Sequence, residues 1–593
     1  MIYLNAQSLG ANEYTNDIFG ANVLSSRDQI GEDGTYDEKV EALGVEHIRY
    51  PGGSLTEDYF DLRDPNKSSA VDPDTGNEVE LIPYSDFMVY AEENDIDVTV
   101  VLPTRYYLSQ ETDENGHRTE AIDDAVLRQF IRDTLDGEYG EPTVRAFEIG
   151  NEYWGSGEMS ALEYGRVSSR MAEIVQDEIS KHPEADVFED IDILVQNGQN
   201  YGSSRLSEDY EQYGNGEAQL AQINEDYNLN LSEEDYIYNS GNVAWPKVMN
   251  EIIMSEFDKA SEIEAVDGLA LHIYSKGADK AGSRDFDLRT VEQLWDERFG
   301  ELDKYITEWN LKASRNWDVE DNYGLKQAHE LLNMTEEFTE HGVDVAHVWA
   351  IQQNNLTNLA GNEGDEGPLN VPGEMFRMMS EVLPDTTAID LSPNSDEHEV
   401  VAEDTSVHAF YGDDTFVSFM VNVSDEPVQT QIDFSQILAE GGTIRVEVLG
   451  VQDGYNPTSH ESPAEITELD PAEVFQNGVF IADLDAHEIV RFVVDDPAYT
   501  PGFGKMVARE HQEGELYAGS LPDDDPGGPE PSDPITDLFN AAPDPDREHQ
   551  QQHQQEEEPD EPLSAESLDD GGGIDGMSSL LGFLPLLALL GGF

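Results

Sequence analysis

The sequence predicts an α/β protein, in which a (β/α)8 TIM barrel is followed by an antiparallel β-sandwich and a disordered acidic C-terminal tail. Three observations lead to this prediction. Short apolar runs alternate with amphipathic stretches through about residue 380, short strand patterns with turn residues follow, and the chain ends in segments rich in Pro, Asp and Glu. Because 593 residues exceed one ordinary domain, we expect more than one folded unit.

The barrel is predicted over residues 10–382. Its strand candidates are apolar on both faces and are followed by helical patterns, which favours parallel strands covered by helices. A doubly wound open sheet is the alternative, but no GxGxxG turn follows the first strand. The strand candidates are residues 17–24, 45–53, 97–103, 144–152, 191–198, 266–275, 304–310 and 343–352, and the helical candidates include 84–94, 124–135, 161–179 and 324–342.

The remaining regions differ from the barrel in composition. Residues 383–498 contain short strand patterns separated by turn residues, which predicts the β-sandwich. Residues 1–9 contain a strand pattern without a barrel partner, and we expect this strand to join the sandwich. Residues 499–576 are predicted to be a disordered acidic linker because their composition cannot bury a core.

The apolar C-terminal segment, residues 577–593, bears on the location of the protein. It is shorter than the ~20 residues that span a bilayer, contains Pro585 and follows acidic residues, so a membrane or cell-envelope anchor competes with an export signal and with an unassigned sticky tail. The N-terminus lacks the basic and apolar regions of a secretory signal. We expect an extracellular or cell-surface protein, with the cytoplasm as the alternative.

The chain is strongly acidic, with 127 Asp and Glu against 31 Lys and Arg and a formal net charge of -96. Such a field disfavours nucleic acid and anionic membranes as partners. It indicates a solvated surface that keeps a secreted, halophilic or marine protein soluble in salty water, and cation storage or a cationic partner is the alternative. The absence of cysteine excludes disulfides, a thiol nucleophile and thiolate metal sites.

Polar residues follow several barrel strands at the face where (β/α)8 barrels carry their active sites. Glu152 follows the fourth strand and Glu308 the seventh, so two carboxylates are expected across one opening. One protonated and one ionised carboxylate are what the cleavage of a glycosidic bond requires. Each residue alone is more often structural, but the ordered set predicts a site. The other candidates are Arg49, Asn151, His272, Tyr274 and Trp349.

Five motifs at these strand ends resemble those of the clan A retaining glycoside hydrolases. The xylosidase-like family 39 and the arabinofuranosidase-like family 51 are the closest types, and the resemblance spans about residues 10–500. It implies a β-sandwich after the barrel. The motifs are RYPGG (49–53), EIGNEYW (148–154), LHIYS (271–275), ITEWN (306–310) and HVWAIQ (347–352).

The resemblance implies a double-displacement hydrolase that acts on a polysaccharide or its oligosaccharides and needs no metal or other cofactor. The alternative is a catalytically inactive barrel for carbohydrate binding or cell-surface attachment. The acidity, the C-terminal segment and the unfamiliar loop after the eighth strand leave the sugar and linkage open. By the resemblance, Glu152 is the general acid/base and Glu308 is the nucleophile. Arg49, His272 and Tyr274 would position the nucleophile and the sugar in the −1 subsite. Asn151 would bind the 2-hydroxyl of that sugar, and Trp349 would form the base of the −1 subsite.

Overall fold

The computed structural model describes residues 1–31, 34–72, 76–200, 205–312, 322–362, 364, 366–391, 398–439 and 441–518. Side chains are described over the same residues except 278–279 and 510–518. The predicted barrel, the predicted sandwich and the first residues of the predicted tail therefore fall largely within the described part of the chain.

Eight parallel strands form a closed barrel, which confirms the predicted fold class. The eighth strand pairs with the first through His347 and Gly20, so the sheet has no free edge. Each strand candidate from the sequence overlaps one barrel strand. In order, the barrel strands are Gly20–Asn22, His47–Tyr50, Asp97–Leu102, Val144–Ile149, Asp192–Gln196, Gly268–Ser275, Asp303–Leu311 and Val345–Val348.

Helices follow the barrel strands and cover the outside of the barrel. Local signals begin several of them: Asp123 caps Asp124–Leu135 by accepting from Val126 N, and Ser160 with Glu163 forms a capping box at Ala161–Lys181. The main helices are Tyr36–Leu43, Tyr84–Glu93, Asp124–Leu135, Ala161–Lys181, Trp245–Ser255, Phe286–Phe299, Leu325–Glu340 and Val371–Ser380, and further helices between the strands are Leu55–Tyr59, Leu206–Tyr210, Gly216–Asp226, Glu233–Tyr236 and Ala260–Ile263.

Two further sheets form the second unit. The N-terminal residues belong to both, because Ile2–Tyr3 pairs in parallel with Val428–Asp433 and Ser8–Glu13 pairs antiparallel with Thr387–Asp390. The larger sheet has the order Ser8–Glu13, Thr387–Asp390, Thr405–Tyr411, Thr415–Asn422, Ile489–Asp495, Thr443–Val451 and Ala464–Glu468, with Val400–Ala402 beside Thr405–Tyr411, and the smaller has the order Ile2–Tyr3, Val428–Asp433, Val479–Leu484 and Phe475–Gln476.

The larger sheet packs on the smaller sheet with one face and on the barrel with the other. Val407 and Ala409 lie in the apolar core between the two sheets, whereas Phe410 packs in the core of the barrel. Arg491 of this sheet donates to Met378 O at 3.1 Å and to Glu381 Oε2 at 2.6 Å, at the end of the helix Val371–Ser380. The sandwich is thereby held against the side of the barrel.

Residues 501–518 depart from the sequence prediction. The disordered linker was expected to begin at residue 499, but Pro501–Ala518 is a helix. Phe503 is 4% exposed and Val507 is 8% exposed, and both pack on the core between the sheets. Residues four apart share one helix face, so a short apolar stripe suffices for docking although the average composition is polar. The linker prediction is wrong for this helix, and the rest of the predicted linker lies outside the described residues.

Over the described residues, the chain contains no helix that is both long and apolar enough to cross a membrane. The apolar segment 577–593, on which the prediction of membrane association depends, lies outside the described residues.

Candidate active site

The barrel strands bring six of the seven predicted site residues into mutual contact at their carboxyl ends. Arg49 bonds to Asn151 and Glu308, Tyr274 bonds to Glu308, and His272 lies between Glu152 and Glu308. The seventh residue, Trp349, directly follows the eighth strand and is half-buried.

Arg49 is the centre of this hydrogen-bond network. Its buried guanidinium donates to both oxygens of Glu148, at 2.6 and 2.9 Å. It also donates to Glu308 Oε1 at 3.1 Å and to the side-chain oxygens of Asn22 at 3.0 Å and Asn151 at 2.8 Å. Burial by itself lowers the pKa of Arg49, but Glu148 and Glu308 raise it above the ordinary value. One buried cation therefore holds two carboxylates and two side-chain amides in fixed positions.

An irregularity in the seventh strand turns Glu308 into the site. Leu271 pairs with Ile306 and His272 pairs with Glu308, so Thr307 is an additional residue in the seventh strand. Strand side chains normally alternate between the two faces, and one extra residue changes the side on which the next side chain lies. Both Thr307 and Glu308 consequently reach groups inside the barrel.

Glu308 is nearly enclosed, with a side chain that is 6% exposed. Tyr274 donates to its Oε2 at 2.8 Å while Arg49 donates to Oε1. Burial raises the pKa of Glu308 above its ordinary value, and His272, Arg49 and Tyr274 oppose that rise. Burial and Glu308 together raise the pKa of Tyr274, so its hydroxyl remains a donor.

Glu152 has a different environment from Glu308. Its side chain is 32% exposed, and its backbone has a φ of 42° in the left-handed region. Its carbonyl accepts from the N–H groups of Gly155 at 2.8 Å and Gly157 at 3.2 Å. A non-glycine residue in this conformation costs about 1–3 kcal/mol, so surrounding bonds must hold the turn. The pair thus combines one enclosed and one solvent-accessible carboxylate.

His272 links these two carboxylates. Its Nδ1 lies 3.4 Å from Glu152 Oε1 and 3.6 Å from Glu308 Oε2. One oxygen from each glutamate and one ring nitrogen of His272 all lie within 4.8 Å of one another. Burial lowers the pKa of His272, but Glu308 and Glu152 raise it above the ordinary value. The imidazole is therefore suited to carry a positive charge between the glutamates.

The two glycines of RYPGG are required by close packing beside the site. Gly52 and Gly53 have φ values of 82° and 54°. A Cβ on Gly52 would lie 2.2 Å from Val23 O, and a Cβ on Gly53 would lie 2.4 Å from the ring of Trp349. The peptide bonds Tyr50–Pro51 and Trp349–Ala350, which flank this contact, are cis. The ring of Trp349 therefore packs against the glycine loop.

Several functional neighbours were missed by the sequence reasoning. Glu148 lies inside the EIGNEYW motif, and its inward position on the fourth strand was a usable signal. The others carry no motif and become apparent only from their contacts with the site. Asn22 bonds to Arg49, Glu57 bonds to Asn151, and Gln196 and Gln199 both bond to His272.

Among the residues that the structure describes, three groups of side chains have the geometry to hold a metal ion. In the first group, Glu152, His272 and Glu308, the guanidinium of Arg49 already lies 3.1 Å from Glu308. Because this cation is present, the two carboxylates are better suited to a positively charged His272 than to a metal ion. The other two groups lie outside this site, one between two outer helices of the barrel and one between the helix Leu325–Glu340 and the larger sheet, and ion pairs join some of their members. The three groups are Glu152, His272 and Glu308; Asp285, Glu337 and His341; and Glu336, Glu399 and His408.

No family model and no curated protein matches the chain. Solved structures do match it. The α-L-arabinofuranosidase AbfB of family 51 from Bifidobacterium longum has a TM-score of 0.54 at 15% identity, over 83% of this chain and 99% of that one. A family 44 xyloglucanase from Paenibacillus polymyxa has a TM-score of 0.48 at 11% identity, over 83% of this chain and 99% of that one.

The similarity extends to a family 30 endoxylanase from Clostridium papyrosolvens C71, with a TM-score of 0.45 at 13% identity over 83% of this chain and 99% of that one. At these identities the likeness shows the fold alone. The resemblance that the motifs predicted is confirmed at that level: the chain has the fold of a family 51 glycoside hydrolase.

Proposed function

We propose that this chain is a retaining glycoside hydrolase that cleaves O-glycosidic bonds of a polysaccharide or of its oligosaccharides by double displacement. The observation that carries the proposal is the pair Glu152 and Glu308, whose nearest oxygens lie within 4.8 Å of each other. Carboxyl groups about 5–5.5 Å apart serve a retaining mechanism, whereas an inverting mechanism needs about 6.5–9.5 Å for a water.

In the first displacement Glu308 attacks the anomeric carbon. The bond from that carbon to the leaving oxygen breaks, and Glu152 transfers its proton to that oxygen. The product is a glycosyl ester on Glu308. The more exposed position of Glu152 suits a group that must reach the leaving oxygen, and the enclosure of Glu308 suits attack without competing water.

In the second displacement Glu152, now ionised, takes a proton from a water. The oxygen of that water attacks the anomeric carbon, and the ester bond to Glu308 breaks. Glu152 is then protonated again. Two inversions at one carbon give net retention. Both carboxyl groups return to their starting protonation states.

The surrounding residues support these steps. Arg49 and Tyr274 donate to Glu308 and favour its ionised form. Arg49 also fixes the Oδ1 end of Asn151, and Nδ2, which donates one hydrogen to Ser156 Oγ at 3.4 Å, has a second hydrogen to donate to a sugar 2-hydroxyl. The Trp349 ring, seated on Gly53, offers a flat apolar face for the sugar at the −1 subsite.

A substrate panel with product stereochemistry tests the proposal. The panel comprises nitrophenyl α-L-arabinofuranoside, β-D-xyloside and β-D-glucoside together with arabinan, xylan and xyloglucan, at low and high salt. We expect turnover of at least one substrate, and proton NMR should show first the product anomer of unchanged configuration. Glu308→Gln should be inactive. Net inversion, or full activity of Glu308→Gln, contradicts the mechanism.

A second experiment assigns the role of Glu152. Glu152→Gln should still form the glycosyl ester from substrates with good leaving groups, since these need little acid assistance. Azide, which needs no base, should then restore turnover and give a glycosyl azide of retained configuration. Glu158→Gln is the matched control, because Glu158 lies in the same loop with a 62% exposed side chain and should leave activity unchanged. Azide rescue that is equal in both variants argues against the assignment.

An inactive carbohydrate-binding or cell-surface barrel is the competing function. It requires a sugar-binding face but not two carboxylates in contrasting environments, so binding of a panel polysaccharide without turnover would favour it. Location outside the cell stays a prediction from the sequence, and cell fractionation tests it.

A further inference from the structure

Glu57 is a fully buried carboxylate that accepts a hydrogen bond from the N–H of Asn151, the residue before the proposed acid/base Glu152. It belongs to the short helix Leu55–Tyr59 that follows the RYPGG loop, and its exposure is 0%. Its Oε2 accepts from Thr104 N at 2.9 Å and Arg105 N at 2.7 Å. Its Oε1 accepts from Thr104 Oγ1 at 2.9 Å and Asn151 N at 3.0 Å. One carboxylate thus ties together the loops after the second, third and fourth strands.

The partners of Glu57 are unusual for a buried carboxylate, because all four bonds come from amides and a hydroxyl. The guanidinium of Arg105 is directed to Asp58 and Glu158 instead. Burial raises the pKa of Glu57, and the backbone N–H donors oppose that rise. In the described part of the chain no cation pairs with Glu57, and a buried charge without one is costly, so this position calls for a role that an apolar side chain cannot fill.

The bond to Asn151 acts on the turn that carries Glu152. Gly150 and Glu152 both have positive φ values, 80° and 42°, so Asn151 lies between two left-handed residues. Asn151 N–H is held by Glu57, and Tyr153 N–H is held by Gln196 Oε1 at 3.3 Å. The residues before and after Glu152 are therefore each anchored to a neighbouring loop or strand. Such a conformation persists only where its surroundings determine it.

We infer that Glu57 is a positioning residue, which holds the Asn151–Glu152 turn in the conformation that directs Glu152 at the leaving oxygen. The catalytic part of this inference rests on the proposed function. The geometric part rests on the hydrogen bonds alone. The two parts are therefore tested separately.

Glu57→Gln isolates the bond to Asn151. The single amide oxygen can keep the bonds from Thr104 N and Arg105 N, which places the NH2 group against Thr104 Oγ1 and Asn151 N. The hydroxyl can rotate to accept from that NH2 group, but the Asn151 N–H cannot. Thr104→Val is the matched control, because it removes the other donor to Oε1 and leaves the Asn151 bond in place.

Hydrogen exchange tests the geometry without any substrate. In Glu57→Gln, peptides from residues 147–159 should exchange about tenfold faster, since one unsatisfied buried N–H weakens the turn. In Thr104→Val the same peptides should stay within about twofold of wild type. Unchanged exchange in Glu57→Gln overturns the inference, as does an equal increase in both variants.

Leaving-group dependence tests the catalytic part. Rates are measured with phenyl and 2,4-dinitrophenyl glycosides of the sugar that the substrate panel identifies. The concentration of active sites in each variant is determined by stoichiometric trapping with the 2-deoxy-2-fluoro dinitrophenyl glycoside, and the rates are divided by that concentration. Misplacing the acid should lower kcat/KM about 10²-fold for the phenyl glycoside in Glu57→Gln. The dinitrophenyl glycoside needs little acid, so its loss should stay within about threefold.

Equal losses for the two glycosides would make Glu57 merely structural and overturn the catalytic part. A wild type that inverts or turns over no substrate overturns the proposed function instead, and hydrogen exchange still decides the positioning of the turn. If Glu57→Gln does not fold, Glu57→Asp takes its place in both experiments, because the shorter carboxylate cannot reach all four donors.

Discussion

Replacing Arg49 by methionine should destabilise the barrel far more than removing an exposed arginine. Arg49 is wholly buried and makes five hydrogen bonds: two to Glu148 and one each to Glu308, Asn22 and Asn151. Methionine has a comparable length and no charge. The variant therefore leaves Glu148 and Glu308 buried without their shared cation.

The expected loss of free energy of unfolding follows from leaving these two buried carboxylates without a cation. Breaking a buried ion pair by removing one partner costs about 3–5 kcal/mol, because the other charge remains buried. Arg445 is the matched control, since it also binds one carboxylate through two nitrogens, at 3.1 and 3.0 Å from Asp495. Its side chain is 51% exposed, so Arg445→Met should cost only about 0–1 kcal/mol.

Tryptophan fluorescence in a urea titration at constant salt measures the effect on the barrel. All six tryptophans lie between residues 154 and 349 of the sequence, and the five that the structure describes belong to the barrel. Arg49 lowers the pKa of Glu308, so its removal should raise that pKa further. A carboxyl group with a raised folded-state pKa destabilises the protein when ionised, so the deficit of Arg49→Met should shrink as the pH falls through that pKa.

Equal losses in Arg49→Met and Arg445→Met would refute the reasoning, because burial would then not govern the cost. A deficit that grows as the pH falls would refute the assigned sign of the electrostatics. Activity should also be lost in Arg49→Met, since Glu308 and Asn151 both lose a donor.

Three further predictions concern the sandwich and the surface charge. Burial lowers the pKa of His398, but Glu340 Oε2 at 2.9 Å raises it to about 9, so this pair should stabilise below pH 6.5 and lose its effect as the pH rises through about 9. Because the Glu340 side chain is 41% exposed, solvent screening weakens this pair. His398→Gln should therefore lower the free energy of unfolding by about 1 kcal/mol at pH 6 and by almost nothing at pH 10, as measured in thermal melts. Phe503→Ala should cost about 3 kcal/mol in denaturant titrations, whereas Lys505→Ala on the same helix should stay within about 0.5 kcal/mol. With a net charge of -96, Tm should rise from low to high salt as the Debye length falls from ~30 Å at 0.01 M to ~3 Å at 1 M, and a flat profile would contradict a role for self-repulsion.

The barrel was predictable because its pattern is local and repeated. Strands covered on both sides must be apolar throughout, and the helices between them must be amphipathic, so each unit leaves the same signal. The residues near the strand ends were predictable for the same reason: Glu152 and Glu308 each lie within a few residues of the apolar part of a strand pattern. The helix Pro501–Ala518 was missed because its stripe of Phe503 and Val507 is too short to alter the average composition.

Sequence alone determined the barrel, the following β-structure and which side chains stand at the strand ends, since these depend on periodicity along the chain. Only the tertiary structure decided how those side chains meet. The additional residue Thr307 turns Glu308 inward, Arg49 is shared between Glu148 and Glu308, and Glu57 accepts from Asn151 N although it lies on a short helix far away in the sequence. These contacts join residues far apart in sequence, and their energies depend on burial and on angstrom-scale distances that no periodic pattern encodes.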